Sequence, residues 1–370
     1  MKGTSMEVVI TQEKLSQALA NTSRVATSKT GLPILGNVLF RTDKNRLLVA
    51  ATNLEVASTN YIGAKVVKQG SITIPAKIVN DFVHNLPKEQ ITLSVKNNRL
   101  HIKTPNHNSI INGVNDEEFP ELPTVDIKDS VTYTLAVDDF KTAVSQTIIA
   151  ASADPTRQIL TGVYWHTNEK SLFLAATDGY RLAEKKLMNV SSELNAIIPT
   201  TTLQEVLRSL RDDITEITIL IDETQVTFLL EDIEITSRLI DGNFPNYRQL
   251  IPSKNETSFS VEKDEFTRVI KVASLFAKGS GGGINLDVNA DDGTVSVSSV
   301  ASEVGENTST IKATITGSGS VSLNSRYLID ALAVLDGPTI SFGFSGKLAP
   351  CVVTSGDKPN YTHIIMPLKS

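Results

Sequence analysis

Apolar residues recur along this chain in two spacings. Leu203, Val206, Leu207 and Leu210 fall at i, i+3, i+4 and i+7, one face of a helix. Ile91, Leu93 and Val95 instead alternate with Thr92 and Ser94, and Val295 and Val297 with Thr294 and Ser296, as in strands with one buried face. On these patterns, helices are expected over 12–24, 76–88, 137–151, 199–211, 262–278 and 324–336. Strand-like runs such as 37–40, 46–50 and 171–175 lie between them. Pro75 and Pro199 stand where a first-turn proline is tolerated, and Asn324 and Ser325 are candidate caps.

The order of elements repeats three times. Ile78, Leu203 and Leu328 are 125 residues apart, as are Phe82, Leu207 and Leu332. Ala50-Ala51-Thr52 recurs as Ala175-Ala176-Thr177. Leu15, Phe140 and Phe266 mark another register, and Leu19, Val144 and Ile270 a further one. A period this long exceeds a solenoid unit and fits three small domains, each with its own core. Each copy reads as about eight strands and two helices, an α+β unit whose helices cover one face of an antiparallel sheet. Polar, proline-marked stretches at 121–130 and 252–256 place the boundaries at 1–127, 128–253 and 254–370.

Composition alters this picture little: 40% hydrophobic and 21% charged residues describe an ordinary globular chain. The single cysteine, Cys351, permits no internal disulfide and suits a reducing cytoplasm, where this protein is expected. It reads as a small hydrophobe in a strand. No apolar run approaches a membrane span and no signal-peptide h-region opens the chain, although Met6 is a second candidate start.

Catalytic chemistry is not visible. His84, His101, His107, His166 and His363 are scattered without metal-ligand spacing, and each reads as a surface or partly packed residue. The glycine run 279–283 lacks the Lys-Ser/Thr of a phosphate cradle and reads as a flexible turn. Asp138-Asp139 and Asp291-Asp292-Gly293 read as a helix start and a turn. No nucleophile elbow appears, so no enzyme activity, cofactor or metal is expected. A triplicated domain points to a scaffold.

Net charge is −6, which by itself argues weakly against nucleic acid, but it is unevenly distributed. The six helical segments hold 12 of the 35 Lys and Arg and 10 of the 41 Asp and Glu, leaving 23 against 31 elsewhere. Several of the helix acids lie in first turns, where capping and the helix dipole account for them. Lys77, Lys88, Arg208, Arg211, Arg268, Lys271 and Lys278 remain as candidate phosphate contacts or as solvated helix faces.

Four stretches carry a resemblance: 176–183 (ATDGYRLA), 32–35 (LPIL), 241–247 (DGNFPNY) and 365–368 (IMPL). In order and spacing they resemble the signatures of the bacterial β sliding clamp family, the DNA polymerase III β subunits. The resemblance covers essentially the whole chain. It implies three clamp domains per chain, two chains joined head to tail in a closed ring, helices lining the hole and sheets outside. It implies that the edge strand with Ile110 and Ile111 meets the third domain of a partner, where Leu275 and Phe276 match an apolar plug. Lys29 and Lys77 match basic positions facing DNA, and Arg157 one near the rim; Arg208 and Arg211 join them as candidate DNA contacts. Thr200 and Thr201 stand where a basic residue often follows the proline.

The resemblance further implies an apolar pocket for short linear peptides, formed by Leu160, Thr177, Gly179, Tyr180, Arg181, Leu182, Pro245, Leu250, Ile364, Met366, Pro367 and Leu368. Aliphatic walls with one arginine and backbone groups suit a peptide with a few apolar anchors. Ile159 stands where an aromatic is frequent, Gln249 where a basic residue is, and Lys369-Ser370 replaces a basic-leucine ending. Implied partners are sequence-independent duplex DNA, a second copy of the chain, the polymerase catalytic subunit, the clamp loader, and repair and translesion factors. Two other readings are a hydrolase or transferase, and a monomeric, non-replicative multidomain adhesion module or peptide-binding scaffold. The enzyme would need a titratable cluster breaking the repeat, and the adhesion module an export signal or disulfides.

Overall fold

The computed structural model describes residues 5–27, 31–277, 281–301, 305–356 and 360–369. In the first repeat β1 (Glu7–Thr11) runs into α1 (Gln12–Val25), followed by β2 (Asn37–Asp43), β3 (Arg46–Thr52), β4 (Val56–Gly63), β5 (Lys65–Lys68) and β6 (Ser71–Pro75). Then come α2 (Ala76–His84), β7 (Gln90–Lys96), β8 (Arg99–Lys103) and β9 (Asn108–Asn112). The second repeat has β10 (Val131–Ala136), α3 (Val137–Ile148), β11 (Gly162–Asn168), β12 (Ser171–Thr177), β13 (Arg181–Asn189) and β14 (Asn195–Pro199). It continues with α4 (Thr200–Ser209), β15 (Glu216–Ile221), β16 (Gln225–Leu230) and β17 (Ile233–Arg238). The third has β18 (Thr257–Glu262), α5 (Lys263–Phe276), β19 (Gly283–Asn289), β20 (Thr294–Ala301), β21 (Gly305–Lys312), β22 (Thr314–Thr316) and β23 (Gly319–Asn324). It ends with α6 (Ser325–Val334), β24 (Thr339–Phe344), β25 (Cys351–Ser355) and β26 (Tyr361–Ile365).

The chain divides by contacts into two units that share the middle repeat. One unit comprises residues up to Val137 together with Thr201–Leu239. It holds a five-stranded sheet, β5-β1-β7-β8-β9, and an eight-stranded sheet, β10-β15-β16-β17-β4-β3-β2-β6. The eight-stranded sheet runs through a repeat boundary because β17 pairs with β4, Glu234 opposite Thr59. The other unit comprises Asp138–Thr200 and residues from Ile240 onward. Its nine-stranded sheet is β14-β11-β12-β13-β26-β25-β24-β18-β22, and its four-stranded sheet is β21-β20-β19-β23. Here too a pairing between repeats continues the sheet, β13 beside β26 with Leu182 opposite Ile364.

Each helix is amphipathic because its buried residues return at helical spacing. Leu15 and Leu19 of α1, Phe140 and Val144 of α3, and Phe266 and Ile270 of α5 are wholly buried, so these two repeat registers are core positions in all three copies. The register through Ile78 is different. Ile78 is exposed, whereas Val79 is wholly buried like Leu203 and Leu328. The second helices of the first two copies are therefore offset by 124 residues, the same offset that relates Pro75 to Pro199.

Except for α1, which runs on to Val25, the helices end earlier than periodicity alone predicts. Helix α2 stops at His84 because Pro87 disfavours helical backbone at Leu86. After α3 the amides of Ala150 and Ala151 bond the carbonyls three residues back, closing with a tight turn. Pro75 is the N-cap of α2 and ends β6, one position earlier than a first-turn proline. Asn324 caps α6 through Arg326 N–H, and the Glu262 carboxylate accepts from the amides of Asp264 and Glu265.

Two histidines are not surface residues. His363 is wholly buried and His166 nearly so. Both lie on strands, so alternation rather than polarity sets which way they point. Cys351 is buried on β25, where burial pushes its thiol up to about 12. Lys29, Lys278 and the first two residues of the glycine run lie outside the described residues. Gly281 and Gly282 form a turn into β19 with positive φ.

Candidate functional site

The 177–182 turn lies between β12 and β13, and side chains build it as much as backbone does. Thr177 Oγ1 donates to the Arg181 carbonyl (2.6 Å) and accepts from Gly179 N–H (3.1 Å). Asp178 Oδ1 accepts from the amides of Tyr180 (2.9 Å) and Arg181 (3.0 Å). Gly179 takes φ +92°, a conformation that explains glycine at this place. Tyr180 is left 61% exposed at the tip.

Arg181 is fixed on three sides. Its Nε donates to Asp178 Oδ2 (3.1 Å), its Nη1 to Asp330 Oδ2 (2.7 Å), and its guanidinium lies 4.6 Å from the Tyr327 ring centroid. Only about an eighth of the side chain is exposed.

Pairing of β13 with β26 carries the chain end to this turn. Arg181 is opposite Ile365 and Leu182 opposite Ile364. Beyond the strand, Met366 N–H donates to the Tyr180 carbonyl (2.8 Å), and Leu368 N–H to the Ser322 carbonyl (2.8 Å). Pro367 lies between them and has no N–H to satisfy. The tail residues Met366, Pro367 and Leu368 are half-buried along this path.

Beneath the turn Leu182 and Ile364 pack with Ala175 and Tyr247 in a buried cluster, flanked by Tyr164, Phe244, Ile251 and Val352. Tyr164 stacks on Phe244 with centroids 4.8 Å apart. Pro245 and Leu250 stand exposed on either side of Tyr247, Leu250 at 46%. Leu160 belongs to the 3-10 segment Pro155–Thr161 and accepts from Ser152 N–H (2.8 Å). Its neighbour Ile159 fixes this segment against Gly242: a Cβ there, at φ +130°, would come 2.8 Å from Ile159 Cδ1. All twelve residues expected of the peptide site belong to one unit.

A polar network supports the floor, and sequence reasoning did not single it out. Tyr247 donates its phenol proton to Glu184 Oε2 and lies 2.7 Å from His166 Nε2. Arg248 Nη2 is 3.0 Å from Glu184 Oε2, and its guanidinium lies 4.2 Å from the Phe173 centroid. Burial first, and then Glu184, pushes the Tyr247 phenol far above its ordinary range. Burial, with Arg248 adding to it, lowers His166 to about 4, so the imidazole is neutral near pH 7. Motif 241–247 contains Tyr247, but nothing in the sequence pairs it with Glu184 or His166.

The remaining candidates are placed elsewhere. Arg157 donates from Nη1 to the Asp178 carbonyl (2.9 Å), which puts it at the 177–182 turn. Lys77 is exposed on α2, beside a cavity of about 550 Å³ also lined by Ser23, Arg24 and Asn80. Arg208 is exposed on α4, whereas Arg211 is enclosed by Asp213, Asp232 and Glu231. Ile110, 55% exposed, and half-buried Ile111 lie on β9, an edge strand. Leu275, 59% exposed, and half-buried Phe276 end α5. Among the described residues no group of three or more His, Cys, Asp and Glu could hold a metal ion, and no helix is long and apolar enough to cross a membrane.

Known proteins share this architecture along its length. The chain is 29% identical to the "Beta sliding clamp" of Staphylococcus aureus, over 99% of this chain and all of the relative. It is also 29% identical to that of Synechococcus elongatus, over 98% and 99%. The crystal structure of the DNA polymerase sliding clamp from Bacillus subtilis superimposes with a TM-score of 0.94 at 28% identity, covering 99% of both chains. Residues 6–123, 134–246 and 248–369 match the profiles of the N-terminal, central and C-terminal domains of the DNA polymerase III beta subunit. Three successive clamp domains, joined through strand pairings and ending in a tail held to the 177–182 turn, place the chain in the DNA polymerase III beta subunit family.

Proposed function

We propose that this protein is a DNA sliding clamp: a non-catalytic ring of two chains that encloses duplex DNA and tethers a replicative polymerase to it. The carrying observation is likeness to sliding clamps over the whole chain, three domains in order and a TM-score of 0.94. The domains span 1–127, 128–253 and 254–370. In the ring, β9 of one chain, with Ile110 and Ile111, meets the third domain of the other near Leu275 and Phe276. Support for this contact comes from an edge strand with unpaired backbone groups and two large apolar side chains more than half exposed.

Retention follows from topology. A closed ring cannot leave a DNA circle sideways, so phosphate contacts need only be weak and sequence-independent. The helices face the duplex, with Lys29, Lys77 and Arg208 as contacts. The polymerase catalytic subunit, the clamp loader, and repair and translesion factors dock short peptides at the 177–182 turn. The cluster of Leu182 and Ile364 supplies the apolar floor, while Tyr180, Pro245, Leu250 and Met366 supply the walls. Arg181 orients the turn. Tethering makes each return of polymerase to the primer end effectively intramolecular, which is how processivity arises. The protein acts in the cytoplasm.

The test is retention on circular and on linearised primed DNA after loading by a bacterial clamp loader. Retention on the circle with loss on linearisation is the expected result. Equal loss from both, with a control clamp retained on the circle, refutes the ring.

A further inference from the structure

The arginines of α1 and α4 are already engaged by carboxylates. Arg24, in the last turn of α1, donates from Nε to Glu205 Oε1 (2.8 Å) and Oε2 (3.1 Å) on α4. Its Nη2 donates to Asn21 Oδ1 (3.0 Å), whose own Nδ2 donates to Asn60 Oδ1 (3.1 Å), and reaches Ser209 Oγ (3.5 Å). Arg208 Nη1 lies 3.9 Å from the second oxygen of the same carboxylate. Glu205 keeps only 8% of its side chain exposed, against 32% for Arg24 and 60% for Arg208. One turn on, Arg211 bonds Asp213 and Asp232 at 3.0 Å each and lies 3.8 Å from Glu231. Three arginines thus face four carboxylates.

A carboxylate in this position is not needed to cap a helix. Glu205 lies in the middle of α4, away from the first turn where the dipole would favour it. Its partners reach it from both helices, and the Nε–H shared by its two oxygens directs the Arg24 guanidinium toward the protein. The carboxylate engages Arg24 closely, whereas Arg208, 3.9 Å away and 60% exposed, stays open to solvent.

We propose that Glu205 sets the strength of DNA contact: it sequesters Arg24 and so keeps this stretch of the helical surface weakly attractive to duplex. This rests on the reading of the protein as a sliding clamp with its helices facing DNA. Strong contacts would slow sliding, and here weakness is supplied by internal neutralisation, not by absence of basic residues.

The test is the salt dependence of equilibrium binding to a short linear duplex, measured by fluorescence anisotropy on the full-length protein. One released arginine, displacing counterion from one phosphate, would steepen the log–log salt slope by about 0.9. Glu205→Gln should therefore lose about 3.5-fold more affinity than wild type between 50 and 200 mM salt. That excess should vanish when Arg24→Gln is added. An unchanged slope in a Glu205→Gln protein with wild-type melting and gel-filtration behaviour overturns the proposal, as does a gain that survives loss of Arg24. If Glu205→Gln does not fold, the Arg24→Gln protein decides. Its slope should match wild type, and a slope shallower by about 0.9 overturns the idea. Retention on circular DNA is scored separately, so failure of the clamp reading remains distinguishable from failure of this one.

Discussion

Replacing Tyr247 by Phe should loosen the floor of the candidate peptide site while leaving its apolar packing intact. Tyr247 is 3% exposed, and its ring belongs to the cluster of Ala175, Leu182 and Ile364. Phe fills the same space, so no cavity term arises. The hydroxyl is what is lost, with its bond to Glu184 and its contact with His166. A hydrogen bond to a charged group contributes about 1.5–3 kcal/mol; Glu184 keeps Arg248 as a partner, but the buried His166 loses its hydroxyl contact as well, so a loss of about 2–3 kcal/mol is expected. A single unfolding free energy is poorly defined for a chain of several domains, so local opening is the better observable. Hydrogen exchange of the amides in 244–251 and in β13 should accelerate roughly 30- to 150-fold where exchange proceeds through local opening. Peptides in the other unit should be unaffected. A change below about twofold across 244–251 would refute the reasoning and mean that the bonds to Tyr247 contribute little net stability.

Three other outcomes follow from the same geometry. Gly242→Ala should destabilise the site by about 1–3 kcal/mol, because φ is +130° and Ile159 Cδ1 lies 2.8 Å from the new Cβ; a melting temperature equal to wild type contradicts this. Arg181→Met should weaken binding of a polymerase-derived peptide at least about tenfold, since it removes the contacts to Asp178, Asp330 and Tyr327 that orient the turn; calorimetric titration would detect equal affinity if this is wrong. Burial lowers His166 to about 4 and His363 to about 3, with Arg248 and Arg181 respectively adding to the effect, so the unfolded chain binds more protons than the fold below pH 6.5. Stability should be greatest above pH 6.5 and fall progressively as pH drops toward 4 and then 3. His363→Gln should flatten that decline, and an unchanged pH profile would count against it.

Residue spacing alone carries the repeat, the class of each element and most of the core. Leu15, Phe140 and Phe266 are buried in all copies because an amphipathic helix has only one face to bury, and that face is written in residue spacing. Cys351 and the cap at Asn324 were legible for the same reason, since local chemistry decides them. The motifs at 176–183 and 241–247 also marked the candidate site. Which face Ile78 and Val79 take emerges only in the packed fold, because a one-residue difference in offset between repeats moves the apolar stripe by about 100°. The burial of His166 and His363, the bond of Tyr247 to Glu184, and the pairing of Arg24 with Glu205 likewise came from the fold. These partners lie tens to hundreds of residues apart, and a single sequence records charge and spacing but not which distant side chains the strand pairings and helix packing bring within hydrogen-bond reach.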